Sequence, residues 1–144
     1  MREAGPDDAG AIAALLGELG YPADPAAVTD RLARMGSADA VLLADGGLVA
    51  LHRIPLLAEG GAVARITALV VAPSRRRAGV GRALLAAAEE VARSWGCWRA
   101  EVSSGRRPER DAAHAFYLAA GFEETTARST RYWKELSPPP SAPS

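Results

Sequence analysis

Arg75, Arg76 and Arg77 stand directly before Ala78-Gly79-Val80-Gly81-Arg82, between an apolar run ending in Leu69-Val70-Val71 and an Ala/Leu-rich helical pattern. A strand, a basic glycine-containing turn and a helix in that order form an anion site. The first-turn N–H groups of a helix have no helical acceptor, its dipole places partial positive charge at the same end, and glycine lets a ligand approach the main chain. Phosphate is the natural guest. An ordinary capped helix with solvated arginines is the plain alternative.

Three phosphate-binding classes compete for this turn. A Walker-type loop requires Gly-Lys-Ser/Thr, and Gly81 is followed here by Arg82 and Ala83, so that class is excluded. A dinucleotide fingerprint would begin at Gly79-Val80-Gly81, with Glu101 about where a ribose-binding acid belongs. Against it, Leu84 takes the place of the third glycine, and residues 72–78 separate the strand from its glycines. The third class rests on the elements around the turn.

Ile12, Leu15, Leu16 and Leu19 share one helical face, with Asp7 and Asp8 near its positive end. Asp24 as N-cap, Pro25 at the first helical position, Val28, Leu32 and Met35 on one face, and Gly36 as a stop predict a second helix. Asp45-Gly46-Gly47 between two apolar runs predicts an antiparallel hairpin. Residues 62–71 are β-branched and alternate, as in a central strand, and Gly79 to Trp95 carry the strongest helical stripe. A strand follows at 97–102 with Trp98, Ala100 and Val102 turned inward, then a short helix through Ala113, Phe116, Tyr117 and Ala120, stopped by Gly121. The segments at 122–127 and 129–136 are expected to close the sheet as strands. The order predicts an α/β protein (an α+β mixed sheet flanked by helices), with one domain over 1–136 and a disordered Pro/Ser tail over 137–144.

With 144 residues and a formal net charge of zero, the chain lacks the basic surplus of a general nucleic-acid binder. Cys97 is the only cysteine, which excludes an intrachain disulfide and a multi-thiolate metal site. The start "MREAGPDDAG" has no signal-like apolar core, and no apolar run has the length of a membrane span. A cytoplasmic protein, with neither nucleic-acid nor membrane partners and with no metal, is expected.

The run Arg76-Arg77-Ala78-Gly79-Val80-Gly81 fits the Q/R-x-x-G-x-G/A signature of the GNAT superfamily of N-acetyltransferases. Its flanks "LVVAP" and "GRALLAAAEEVARSWG" resemble that family's central strand and following helix, and "HAFYLAAGFEET" resembles its late F-Y-x-x-x-G-F segment. The resemblance implies an acetyl-CoA-dependent enzyme with the GNAT-like acyl-CoA N-acyltransferase fold. Main-chain groups at Leu69, Val70 and Val71 would hold the pantetheine arm. Arg76, Arg77, Ala78, Gly79, Val80, Gly81 and Arg82 would wrap the pyrophosphate. It also implies Tyr117 as the group whose hydroxyl reaches the cofactor sulfur. The chain departs from the pattern at Arg77, where many members carry glycine, and at Arg110, where many carry asparagine.

Direct transfer of an acetyl group to an amine requires a neutral nucleophile and a proton for the leaving thiolate. A lysine-like amine is about 0.04% neutral at pH 7, a cost of about 4.6 kcal/mol, against about 1.4 kcal/mol for an α-amine. The signature strand offers no carboxylate base. The candidates are therefore His52, placed first, with Glu59, Glu101 and His114 behind it. The expected acceptor is a small-molecule amine. A protein N-terminus or lysine, a non-catalytic acyl-CoA-binding module and a homodimer remain open.

Overall fold

The computed structural model describes residues 1–76, 78–103, 111–125, 131–132, 134–138 and 140. The chain divides into two compact units, Met1–Val102 and Ser103–Ser141. In the first unit the elements run β1 (Arg2–Glu3), α1 (Ala9–Leu19), α2 (Pro25–Ala33), β2 (Asp39–Ala44), β3 (Gly47–Pro55), β4 (Ala62–Val71), α3 (Val80–Ser94) and β5 (Cys97–Val102). The strands lie in sequence order as one mixed sheet, antiparallel except for the last pair, β4 and β5, which are parallel across the α3 crossover. The α/β architecture expected from the element order is the one observed. The second unit contains α4 (Asp111–Ala119).

Side-chain alternation sorts the sheet into two faces. Leu43, Leu48 and Val70 sit side by side in register on one face and pack with Ile12, Leu15 and Val28 of α1 and α2. Burying each such side chain stabilises the fold by roughly 1.5–3 kcal/mol. The other face lies under α3, whose Leu84, Leu85, Ala88 and Ala92 are buried. Arg53 confirms this sorting, because its Nε donates to the Trp95 carbonyl at the end of α3 at 3.0 Å.

Two bulges break the register. Ala50 pairs with Ala68 but Leu51 with Ile66, so Thr67 is an additional residue in β4. Ala62 pairs with Cys97 but Val63 with Arg99, so Trp98 is additional in β5. A bulge re-aims the side chains beyond it. Trp98, expected inward, is accordingly 52% exposed. Its indole N–H donates to the Gly60 carbonyl at 3.3 Å, and the Arg99 guanidinium lies over its ring at 4.8 Å.

Other departures have local causes. Helix α2 ends at Ala33, so Met35 lies beyond it and is exposed. Gly36 serves instead to donate its N–H to the Asp39 carboxylate at 3.1 Å. The described residues within 122–125 and 131–136 form no strand; 126–130 and 133, part of the expected closing strands, lie outside the described residues, as do 139 and 141–144 of the expected tail.

The β2–β3 turn is the two residues Asp45 and Gly46, with Gly46 at φ 81°. It docks on the segment after β4. Ala72 N–H donates to the Gly46 carbonyl at 2.8 Å, and Arg75 reaches Asp45 at 3.5 Å. A Cβ on Gly46 would collide with Arg75 Cγ. Gly46→Ala is therefore expected to lose about 1–2 kcal/mol from the left-handed backbone alone, read as a thermal midpoint lowered by roughly 3–7 °C. An unchanged midpoint would show that the turn tolerates a side chain and does not brace the loop.

Candidate functional site

The corner between β4 and α3 gathers the residues expected to hold a phosphate-bearing ligand. The β4–β5 ladder stops at Ile66 paired with Val102, while β4 itself continues to Val71. Past Ile66 the edge of β4 that looks away from β3 therefore has no β5 partner. The chain then makes a short 3-10 turn at Pro73–Arg75, and Arg76 Nε donates back to the Val71 carbonyl at 3.4 Å.

Gly79 caps α3 in the left-handed region at φ 83°, a conformation that L side chains rarely adopt. The Ala83 N–H donates to the Gly79 carbonyl at 3.0 Å. The N–H groups of Val80 and Gly81 lie ahead of it, at the positive end of a 15-residue helix. Leu69, Val70, Val71, Arg76, Ala78, Gly79, Val80, Gly81 and Arg82 thus share one corner. Arg77 lies outside the described residues. Main-chain donors, a left-handed glycine and an exposed guanidinium fit a diphosphate. Arg75 is committed elsewhere, since its guanidinium pairs with Asp45.

A second feature crosses the face of the sheet that carries Leu48 and Val70. Asp39 pairs in register with His52, His52 with Arg65, and Arg65 with Glu101, so four polar residues on four adjacent strands form one row. His52 Nδ1 lies 2.6 Å from Asp39 Oδ1. The Gly36 N–H, and after it the His52 ring, hold the Asp39 carboxyl below its ordinary value against the opposing effect of burial. An ionised Asp39 can only accept, so Nδ1 carries the hydrogen and the lone pair of His52 is on Nε2. His52 is 47% exposed at its side chain, so its ring is open to solvent. Asp39 also lines a groove of about 550 Å³ with Gly36, Ser37, Ser94 and Trp95.

Glu101 is a different kind of carboxylate. Arg65 donates to it at 3.1 Å and Arg99 at 2.8 Å. Burial raises its pKa, but the two guanidiniums outweigh that effect and hold the carboxyl below its ordinary value. A carboxylate so held is a weak base. Glu59 is exposed in the β3–β4 connection, away from the row in sequence and register.

In the second unit, Tyr117 and His114 lie on α4 and are half-buried. The Tyr117 ring meets Phe116 and Phe122 edge-on, with centroids at 5.5 Å and 5.9 Å. Gly121 at φ 94° ends the helix, and the Phe122 N–H donates to the Tyr117 carbonyl at 3.0 Å, so the segment after α4 folds back onto Tyr117.

Sequence reasoning overlooked Asp39 and Arg65. Asp39 was recoverable: a two-residue turn at Asp45-Gly46 pairs Ala44 with Gly47, and counting back along both strands reaches Asp39 opposite His52. Arg65 was not, because only the bulge at Thr67 puts Arg65 rather than Ile66 opposite His52.

The chain matches the acetyltransferase (GNAT) family over residues 16–122. It belongs to the GNAT acetyltransferase family. This acetyltransferase is 37% identical over 134 residues to an aminoglycoside N(6')-acetyltransferase type 1 from Stenotrophomonas maltophilia, an alignment covering 87% of this chain and 86% of the relative. It is 38% identical over 85 residues to an aminoalkylphosphonate N-acetyltransferase from Salmonella typhimurium, covering 59% of this chain and 54% of the relative. A solved chain from Arthrobacter sp. FB24 superposes with a TM-score of 0.76 at 32% identity, over 94% of each chain. A glucosamine-6-phosphate N-acetyltransferase from Arabidopsis thaliana superposes with a TM-score of 0.74 at 16% identity, over 94% of this chain and 97% of that one, a likeness of fold. No helix among the described residues is long and apolar enough to cross a membrane.

Proposed function

We propose that this GNAT acetyltransferase binds acetyl-CoA at the β4–α3 corner and acetylates the primary amine of a small molecule. One observation carries the reading: a β4 edge with no strand partner among the described residues leads directly into a left-handed glycine and the N-terminus of α3. Relatives named for aminoglycosides and aminoalkylphosphonates support a small amine as the acceptor.

When bound, acetyl-CoA supplies an acetyl group activated as a thioester. Main-chain groups of Leu69, Val70 and Val71 would hold its pantetheine arm, and the turn from Arg76 to Arg82, with the α3 N-terminus, would hold its diphosphate. His52 Nε2 takes the proton of the acceptor amine. Asp39 fixes the tautomer and orientation of the His52 ring. Glu101, paired to two arginines, serves the charge of the site rather than proton transfer. By the family resemblance, the Tyr117 hydroxyl would donate a hydrogen bond to the departing sulfur. A phenol titrates near 10 and a thiol near 8.5, so complete proton transfer is uphill by about 2 kcal/mol and the hydrogen bond does most of the stabilising.

Arg76→Glu and Gly81→Glu are expected to weaken acetyl-CoA binding at least about tenfold, through charge reversal and obstruction at the diphosphate. Calorimetry on the folded variants checks this, and unchanged affinity in both would remove the cofactor from this corner.

Tyr117→Phe is expected to lower kcat by roughly a hundredfold with little change in acetyl-CoA affinity, as for the loss of a general acid. A loss smaller than about threefold with chemistry rate-limiting would return Tyr117 to a packing role.

With His52 as base, kcat/KM rises with pH as the imidazole loses its proton, and His52→Gln is expected to abolish that limb. The loss grows with the basicity of the acceptor, because a lysine-like amine is about 0.04% neutral at pH 7. A wild-type profile in His52→Gln with such an acceptor would assign deprotonation elsewhere.

A further inference from the structure

The row is polarised from one strand pair to the other. On β2 and β3, the Asp39 carboxylate backs His52 at 2.6 Å and supplies a negative charge. On β4 and β5, Arg65 and Arg99 share the single carboxylate of Glu101, so this half keeps a surplus positive charge. Arg99 belongs to the same face because the Trp98 bulge pairs it with Val63, two residues before Arg65.

Arg65 is also under-used. Its guanidinium has several N–H donors, yet its one hydrogen bond among the described residues is to Glu101. Its Nε is buried and finds no acceptor there. The side chain is 41% exposed, so its outer edge is open to solvent and to a ligand. A charged donor held by the sheet with bonding capacity left over is what an incoming anion completes.

Directly opposed residues on neighbouring strands stand about 5 Å apart. His52 and Arg65 are so opposed. An amine that gives its proton to His52 therefore has Arg65 beside it, one strand away. We infer that the acceptor is a short zwitterion, an amine joined through a short carbon chain to a carboxylate or phosphonate, and that Arg65 reads the acidic group. This rests on the proposed acetylation at His52. A polycationic acceptor has the opposite fit, since amino groups beyond the first would meet Arg65 and Arg99 with their counter-charge already divided.

Two readouts on the full chain test this. Calorimetry with coenzyme A present measures binding of 2-aminoethylphosphonate, β-alanine, ethylamine and kanamycin, and release of coenzyme A from acetyl-CoA measures transfer. Both zwitterions are expected to bind at least about tenfold more tightly than ethylamine, as for one charge-assisted hydrogen-bonded contact. The ratio between the two zwitterions tells which acid the site favours. Arg65→Gln is expected to erase the preference and Arg65→Lys to restore part of it. If Arg65→Gln does not fold, Arg99→Gln replaces it: Glu101 is then left to Arg65 alone, and the preference is expected to fall. A preference that survives these variants, or tighter binding of kanamycin than of either zwitterion, overturns the inference. Arg65-dependent binding without coenzyme A release keeps the acid site and sinks the transfer reading. Release with ethylamine as efficient as with the zwitterions keeps transfer and sinks the acid site.

Discussion

The additional residue in β4, Thr67, governs what the middle of the sheet presents. Its hydroxyl donates to the Ala50 carbonyl at 3.4 Å across the irregular pair. Beyond it the strand is turned over, so Ile66 and Ala64 go down to the α3 face, where they are buried, and Arg65 comes up beside His52. In unbroken pairing an aliphatic side chain would stand next to the histidine and a guanidinium would be forced under α3, where an unpaired charge costs several kcal/mol. The β5 ladder also ends at Ile66, the residue before the bulge. The same few residues thus separate the half of β4 that is paired with β5 from the half that has no strand partner there among the described residues.

A second constraint works from the other end of the hairpin. The Asp45-Gly46 turn fixes the register that puts Asp39 against His52, and it also supports the loop after β4 through the Gly46 carbonyl and the Asp45–Arg75 pair. Gly47 is close-packed here as well, since a Cβ would meet Leu84 Cδ1 at 2.8 Å and the Val70 carbonyl at 3.0 Å. The individual surface ion pair contributes little. The fit of two adjacent glycines against Arg75, Val70 and Leu84 is the greater restriction, because side chains at either position displace the loop or the helix.

The sequence was most legible where local rules act alone. Asp24 and Pro25 open α2, Gly79 and the Leu84/Leu85/Ala88/Ala92 stripe mark α3, and Asp45-Gly46 makes the hairpin. The corner residues from Leu69 to Arg82 could be named because strand, turn and helix are contiguous there. Legibility failed where pairing between distant strands decides. Nothing in "RITAL" announces a bulge at Thr67, and nothing in "CWRAEV" announces one at Trp98, so alternation counted along one strand sent Trp98 inward and left Arg65 without a role. His52 was singled out as a lone titratable ring, while its partner Asp39 required carrying the hairpin register across thirteen residues.

The two ends of the site expose different kinds of atoms. At the β4 edge and the α3 start the groups on offer belong largely to the main chain, and substitution leaves them in place wherever the backbone path is kept. Across the row, by contrast, the polar groups belong to the side chains of Asp39, His52, Arg65, Arg99 and Glu101, so a substitution there removes them. A change of residue type therefore alters what the row presents, while at the β4 edge and the α3 start it leaves the main-chain donors and acceptors where they were.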